Sequence, residues 1–274
     1  MYLTYEEFKE IANKHFGLEV DFYVQLLKRI IDNPNRYCGI FRLTSAKEKI
    51  IQNVSQSNEI RFGDFLEEVT TKYIEKLGYS NLDKRCKNEK LNCDQLFTDG
   101  KSIYLVEQKV RDDHDSTKKR GQLKNFNDKI DAVIKRYPNK QIVAIMWFID
   151  DALTKNKRYY EKEVDDLNKN NVNALLVYNG SFFMKLNNGQ EAWTEFKNHL
   201  IKLRKEHLIS VGVLDFDEDY KVHEAFCKLP SNYWAKFISG EDIYNTLRSE
   251  LFTNEDSLKK IQAMMKEVKT LDEE

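Results

Sequence analysis

Apolar residues recur at helical spacing in the first third of the chain. The clearest stripe lies within residues 60–77 and consists of Phe62, Phe65, Leu66, Val69, Tyr73 and Leu77. These positions fall on one face at about 100° per residue, and Gly78 is expected to end the helix. Upstream, Thr4 and Glu7 have the spacing of a capping box, which predicts a helix that begins there. A further helix is predicted for residues 22–30.

Other apolar runs have the spacing of β-strands. Residues 95–97 and 102–110 are rich in β-forming residues and flank the turn sequence Thr98-Asp99-Gly100-Lys101, so they predict a hairpin. Residues 141–149 form a continuous apolar run, which is typical of a central strand buried on both faces. Further strands are predicted at residues 172–178 and 182–186. Strands that alternate with helices in this way indicate an α/β core.

The pattern changes after about residue 209, where helical segments follow one another. They are predicted at residues 220–227, 231–238, 241–252 and 256–268. We therefore divide the chain into an N-terminal helical segment (1–59), a core (60–208) and a helical C-terminal region (209–274). Asp215, Asp217 and Asp219 imitate the start of a calcium loop, but Tyr220 stands where that loop requires glycine, so we reject this site.

Composition narrows the class of protein. The chain has 274 residues, of which 41% are hydrophobic and 32% charged, as expected for a soluble globular protein. No apolar run approaches the roughly 20 residues that span a bilayer, and the first residues lack the order of a signal peptide. We expect a cytoplasmic protein with no membrane partner. The four cysteines have no Cys-x-x-Cys spacing, which predicts free thiols rather than a zinc site.

A charged cluster is predicted at one end of the hairpin. Side chains alternate along a strand, so Glu107 and Lys109 point the same way, and Asp94 at the start of the paired strand can lie beside them. Two carboxylates and a lysine are suited to holding Mg²⁺ and a water molecule. The alternative is an ordinary solvated strand face, where such a charge pair contributes little. Glu67 or Glu68, on the helix upstream, can also reach this site.

These residues resemble a known group of enzymes. Asp94 followed by Glu107-Gln108-Lys109, with a preceding helical glutamate, is similar to the PD-(D/E)xK nuclease superfamily. Residues 61–147 resemble type II restriction endonucleases, particularly in RFGDFLEEV, YLVEQKVRDDHDSTKKRGQ and AIMWFIDD. Within that group the sequence resembles the HpyAIV-like subgroup. One departure is that Asn92-Cys93, and no proline, precede Asp94.

The resemblance implies a fold and an activity. The fold is a restriction-endonuclease-like core with a central mixed sheet flanked by helices. The activity is Mg²⁺-dependent, sequence-specific hydrolysis of double-stranded DNA that leaves 5′-phosphates. It also implies a homodimer and a companion DNA methyltransferase, and the subgroup suggests a GANTC-type site. In this view the N-terminal segment contacts DNA, the core is catalytic, and the C-terminal helices serve recognition or dimerisation.

The resemblance also implies roles for single residues. Asp94 and Glu107 would hold the metal with the backbone carbonyl of Gln108, and Lys109 would place or activate the attacking water. Glu67 is favoured over Glu68 as a further metal-binding residue, because related nucleases carry a glutamate four residues after a glycine, here Gly63.

Basic and amide side chains near the hairpin are candidate DNA contacts, because they are the types that meet phosphates and base edges. They are Arg42, Lys84, Arg85, Lys87, Arg111, Lys118, Lys119, Arg120 and Gln122. The net charge of −1 provides no global positive field, so such binding depends on local clusters. Ordinary solvated loops are the competing interpretation. A repair or junction nuclease, or a non-catalytic DNA-binding module of the same fold, remains an alternative function.

Overall fold

The computed structural model describes residues 1–16, 20–86, 91–207 and 215–271. The chain divides into two compact units: residues 1–15 with 62–205, and residues 16–61 with 206–274. The first residues therefore fold with the sheet-containing unit, unlike in the three-part division made from the sequence. The roles assigned to those three regions stay predictions.

Helices and short strands alternate through the described chain. The helices are α1 (Tyr5–Phe16), α2 (Val20–Asp32), α3 (Asn35–Cys38), α4 (Ala46–Lys76), α5 (Ser116–Arg136), α6 (Lys157–Asp165), α7 (Gly189–His207), α8 (Tyr220–Cys227), α9 (Ser231–Phe237), α10 (Asp242–Leu251) and α11 (Glu255–Leu271). The strands are β1 (Ser80–Asn81), β2 (Arg85–Cys86), β3 (Leu91–Asn92), β4 (Gln95–Thr98), β5 (Ser102–Lys109), β6 (Gln141–Phe148) and β7 (Val172–Tyr178). None of the described helices is both long and apolar enough to cross a bilayer.

A five-stranded mixed sheet forms the centre of the first unit. Its order is β1-β4-β5-β6-β7, with β1, β4 and β5 antiparallel and β5, β6 and β7 parallel. On one face, Phe126 and Val133 of α5 and Tyr160 of α6 share a buried core with the strands. On the other face, Trp147 packs against Phe183. The predicted α/β class, a mixed sheet flanked by helices, is confirmed.

The turn between β4 and β5 fixes the register of the hairpin. One carboxylate oxygen of Asp99 accepts hydrogen bonds from the backbone N–H groups of Lys101 and Ser102 at 2.9 and 2.7 Å. Gly100 has a φ of +91°, a conformation that glycine adopts without strain. The resulting register pairs Gln95 with Val106, so the residue before β4 lies across from Glu107.

Two predictions of secondary structure were wrong or incomplete. The helix predicted for residues 60–77 begins earlier, at Ala46, because Ser45 and Glu48 form a capping box there. Residues 179–181 and 183–185 form short 3₁₀ turns, in place of the strand predicted at residues 182–186. The strand pattern fails there because Phe182 and Phe183 are both buried, so side chains do not alternate between core and solvent.

Asp217, one of the three aspartates that imitate the start of a calcium loop, stabilises the second unit. Asp217 accepts hydrogen bonds from the hydroxyls of Thr253 and Ser257 and from the backbone N–H of Asn254, at the start of α11. Burial alone would raise the pKa of Asp217, but these hydrogen bonds outweigh it and lower the pKa to about 2. The carboxylate therefore ties residues 253–257 to the segment before α8.

We expect Asp217→Asn to lower the free energy of unfolding by about 2 kcal/mol at pH 7, the energy equivalent of the pKa shift. Since the folded pKa lies below the ordinary value of 3.8, this stabilisation is complete above about pH 4 and is lost as the pH falls toward 2. Denaturant unfolding should show the difference from wild type shrinking by roughly half at pH 3. Asp242→Asn, at an exposed position of α10, is the control, and an equal effect there would contradict this role.

Candidate active site

The hairpin brings Asp94, Glu107 and Lys109 together. Nζ of Lys109 lies 3.1 Å from Oδ2 of Asp94 and 2.8 Å from Oε1 of Glu107. The backbone N–H of Gln108 donates to the same Asp94 oxygen at 2.8 Å. Asp94 precedes β4 and the other two end β5, so the strand register itself places the three side chains in contact.

A second lysine, Lys129 of α5, completes the cluster. Its Nζ lies 2.5 Å from Oε2 of Glu107 and 3.4 Å from Oδ1 of Asp94. Each carboxylate thus gives one oxygen to Lys109 and its other oxygen to Lys129. Two negative and two positive charges alternate around a ring, so the formal charge of the cluster is zero.

Burial differs across the ring. The side chains of Glu107 and Lys129 are 2% and 5% exposed, whereas those of Asp94 and Lys109 are 18% and 31% exposed. Burial disfavours the charged form of both lysines, but Asp94 and Glu107 outweigh this effect and raise the pKa of each. The two lysines therefore keep their positive charge, and the site is closed on the side of α5 and open to solvent at Asp94 and Lys109, where a phosphate can approach.

Glu67 lies beside this ring in a separate polar network. Its Oε1 is 2.8 Å from Nζ of Lys84, which also donates to Oγ1 of Thr71 at 3.0 Å. Burial raises the pKa of Glu67, and Lys84 offsets part of that effect. Gln95 is fully buried and links the backbone carbonyl of Glu67 (2.8 Å) to the side chain of Gln108 (3.4 Å).

Glu68 faces a different group of residues. Its carboxylate accepts hydrogen bonds from Lys14 at 2.8 Å and from His15, also at 2.8 Å. The hydrogen bonds of Glu67, through Lys84 and Gln95, instead lead to β4 and β5. Of the two glutamates, the geometry favours Glu67 as the one associated with the site.

The segment after β5 is more ordered than its charge predicts. Asp112 is fully buried and accepts hydrogen bonds from the backbone and side chain of Asn156, at 2.8 and 2.9 Å, and from Tyr178 at 3.2 Å. Asp115 caps α5 by accepting from the backbone N–H groups of Thr117 and Lys118. The carboxylate of Asp112 can be buried because hydrogen-bond donors surround it.

Four of the candidate DNA contacts lie on the first turns of α5. Lys118 and Arg120 are exposed, and Nζ of Lys119 lies 4.4 Å from the centre of the Tyr159 ring. Nε2 of Gln122 is buried and has no hydrogen-bond partner among the described residues. This end of α5 thus presents donors that the described part of the protein does not use.

The other candidates are dispersed. Arg111 pairs with Asp150 at 3.4 Å, Lys84 pairs with Glu67, and Arg85 lies in β2. Lys87 lies outside the described residues. Arg42 belongs to the second unit, in the loop before α4.

The donor set of the ring suits a hard divalent cation. Asp94, Glu107 and the backbone carbonyl of Gln108 offer only oxygen, the ligand that Mg²⁺ prefers. That carbonyl now accepts a hydrogen bond from Lys109 at 3.0 Å. In the described part of the chain, no three His, Cys, Asp or Glu side chains group as metal ligands, so the ion would need water or substrate oxygens as well.

Sequence reasoning missed Lys129. The signal was present, because Lys129 follows Phe126 by three residues and precedes Val133 by four, which places it on the apolar face of α5. A lysine on such a face must find negative partners, since an unpaired buried ammonium is costly. Gln95 was also missed, but without any signal in the sequence, because a glutamine at the edge of a predicted strand gave no sign of full burial.

Comparison with known proteins agrees with this geometry. No curated protein sequence matches the chain. Residues 78–204 match the family model described as Type II restriction endonuclease, HinfI, and this range contains the hairpin, the mixed sheet and all four charged residues of the ring. Glu67 lies outside the match, and the HpyAIV-like subgroup stays a prediction. The match over residues 78–204 therefore supports a type II restriction endonuclease of the PD-(D/E)xK kind.

Proposed function

We propose that the protein is a Mg²⁺-dependent endonuclease that hydrolyses double-stranded DNA at a specific sequence and leaves 5′-phosphates. The observation that carries the proposal is the contact of Asp94 and Glu107 with Lys109 at the solvent-accessible end of β5. This constellation lies within the matched family range. It combines oxygen ligands with a cation at a position that a phosphate can reach.

Each residue of the ring has a distinct task in this proposal. Asp94 and Glu107 hold the ion together with the carbonyl of Gln108. When bound, Mg²⁺ stabilises negative charge on the phosphoryl oxygens and lowers the pKa of a coordinated water. Lys109, the more exposed lysine, orients the attacking water and offsets charge that develops on the phosphate. Lys129, enclosed behind Glu107, contacts both carboxylates and holds them in position.

The zero formal charge of the ring has a consequence for the order of binding. Two ammonium groups already neutralise the carboxylates, so the protein alone attracts a divalent cation weakly. A DNA phosphate adds negative charge at the open side of the ring. We therefore expect DNA to strengthen ion binding, which would limit cleavage to the assembled complex.

The first turns of α5 complete the DNA-binding surface in this proposal. Lys118, Lys119 and Arg120 bind phosphates, and Gln122 lies on the same turns of the helix. A homodimer would place one site at each strand of a palindrome. A methyltransferase that protects the same sequence would accompany the enzyme in the cytoplasm.

Cleavage of a long DNA of known sequence tests the proposal. The protein is incubated with the DNA and Mg²⁺, and the fragment ends are sequenced. We expect 5′-phosphorylated ends at one recurring sequence, for which the HpyAIV-like resemblance predicts a GANTC type. Cleavage only at junctions or mismatches would favour the repair alternative, and no cleavage at any Mg²⁺ concentration would favour the non-catalytic module.

Substitution of the two neighbouring glutamates separates their roles. We expect Glu67→Ala to slow cleavage roughly 10- to 100-fold, as is typical for residues that support a metal site through outer contacts. Glu68→Ala should change the rate less than about twofold, because its carboxylate contacts Lys14 and His15. Single-turnover cleavage rates provide the measurement, and the reverse ranking would assign the role to Glu68.

A further inference from the structure

An apolar turn protrudes from the second unit between α3 and α4. The exposed fractions of Ile40, Phe41 and Leu43 are 91, 96 and 105%. Single apolar residues are common on protein surfaces, but three large ones within four residues form a patch that usually marks an interaction site. The turn is therefore a candidate binding site for a partner that buries these side chains.

The turn is held in a defined shape. The backbone N–H of Arg42 donates to the carbonyl of Gly39 at 2.9 Å, which places Ile40 and Phe41 at the tip. A Cβ atom at residue 39 would lie 2.5 Å from the carbonyl oxygen of Asn35, so this approach requires glycine. Buried residues anchor both ends, Tyr37 before the turn and Ala46 after it. The exposed tip is thus part of the fold.

Three basic residues lie in or beside the turn, namely Arg36 in α3, Arg42 in the turn and Lys49 in α4. Partial burial lowers the pKa of Lys49, and the guanidinium groups of Arg42 and Arg36 lie close enough to lower it further. The carboxylates of Glu48 and Glu250 accept hydrogen bonds from the backbone N–H groups of Ser45 and Ala46. Those two carboxylates therefore cap the start of α4. The three cations lie close enough to repel one another.

An apolar tip beside three basic residues fits duplex DNA better than it fits a second copy of the chain. In a two-fold symmetric interface the same patch would meet itself, so the three cations would face their own copies. On DNA the cations would contact phosphates. Phenylalanine, leucine and isoleucine are the side chains that groove-binding proteins insert between base steps.

We propose that residues 39–43 form a wedge that inserts Phe41, supported by Ile40 and Leu43, between base pairs of the bound DNA. Arg36, Arg42 and Lys49 then hold the phosphates on either side. The inference rests on the proposed function in one respect only, namely that duplex DNA is the partner. It assigns to the second unit a part in deforming the DNA.

DNA binding by matched variants tests the wedge. The probes are a fluorescein-labelled 40-base-pair duplex of random sequence and an alternating A·T duplex that contains 2-aminopurine, both in EDTA so that cleavage does not occur. We expect the double variant Phe41→Ser, Leu43→Ser to bind the random duplex about 10-fold more weakly or worse. Ile238→Ser, at a partly exposed apolar position in the same unit, should stay within twofold of wild type.

Two further readouts distinguish insertion from other effects. Wild type should raise the 2-aminopurine fluorescence by unstacking bases, and the double variant should not. Arg42→Gln should reduce the slope of log affinity against log salt by about 1. Unchanged affinity in the double variant, or no fluorescence rise with wild type, would overturn the wedge. Conversion of a dimer to a monomer by the double variant, seen in sedimentation velocity, would assign the turn to self-association instead.

The outcomes also separate this inference from the nuclease proposal. If wild type does not cleave DNA with Mg²⁺ but the double variant loses binding and fluorescence change, the nuclease proposal fails and the wedge stands. If wild type cleaves DNA and the double variant binds as tightly as wild type, the wedge alone fails. These variants change exposed side chains, except for the partly buried Arg42, so melting temperatures close to wild type will confirm that the variants fold.

Discussion

Glu107→Gln is expected to slow DNA cleavage by at least about 10³-fold, the effect typical of removing one preorganised electrostatic contact to the transition state. The substitution preserves the shape of the side chain but removes a charged metal ligand. It also leaves Lys129 and Lys109 with one carboxylate, Asp94, between them. DNA binding should be unchanged or stronger, because the ring then carries a net positive charge.

Single-turnover cleavage and filter binding on the same duplex measure the two effects separately. Glu161→Gln, an exposed position on α6, is the control and should cleave at the wild-type rate. Asp94→Asn and Lys109→Met should slow cleavage as Glu107→Gln does, since each removes one member of the same contact group. Cleavage by Glu107→Gln within tenfold of wild type would show that this carboxylate does not take part in the reaction.

Lys129→Met is expected to reduce the free energy of unfolding by about 3 kcal/mol in EDTA, because it leaves two carboxylates with one ammonium in a largely buried site. For a protein of this size the loss corresponds to a melting temperature roughly 6–12 °C lower. Methionine nearly preserves the packing on the inner face of α5, so the lower stability is due to the missing positive charge of Lys129. Mg²⁺ should restore much of the stability, because the ion supplies the missing positive charge.

The increase in melting temperature on adding Mg²⁺ is measured for wild type and for Lys129→Met. We expect a larger shift for Lys129→Met than for wild type, in which Lys129 already neutralises the carboxylates. Lys124→Met, at a solvent-exposed position of the same helix, should leave both the stability in EDTA and the Mg²⁺ shift at wild-type values. Equal Mg²⁺ shifts in wild type and Lys129→Met would contradict the role given to Lys129.

The parts of the site that could be predicted from sequence are those set by local rules. Strand alternation puts Glu107 and Lys109 on one face, and the Asp99-Gly100 turn fixes the register that brings Asp94 across from Glu107. These rules need no knowledge of the rest of the fold. The central strands were predicted for the same reason, because buried strands have continuous apolar sequences.

The parts that could not be predicted depend on contacts between distant segments. The pairing of Lys129 with Glu107 requires the packing of α5 on the sheet, although helical spacing already placed the lysine inward. The 3₁₀ turns that replace the strand predicted at residues 182–186 pack against Trp193 of α7, whose ring lies so close to Gly180 that a Cβ atom there would be 2.4 Å from Nε1. Sequence spacing alone carries no information on such a contact.

Manganese binding to the DNA complex tests the central claim most directly, because Mn²⁺ accepts the same oxygen ligands as Mg²⁺ and is detected by electron paramagnetic resonance. We predict that wild type in complex with duplex DNA binds Mn²⁺, and that Asp94→Asn and Glu107→Gln each lose the ion while still binding DNA. Retention of Mn²⁺ with wild-type affinity by both variants would show that these two carboxylates do not share a metal ion.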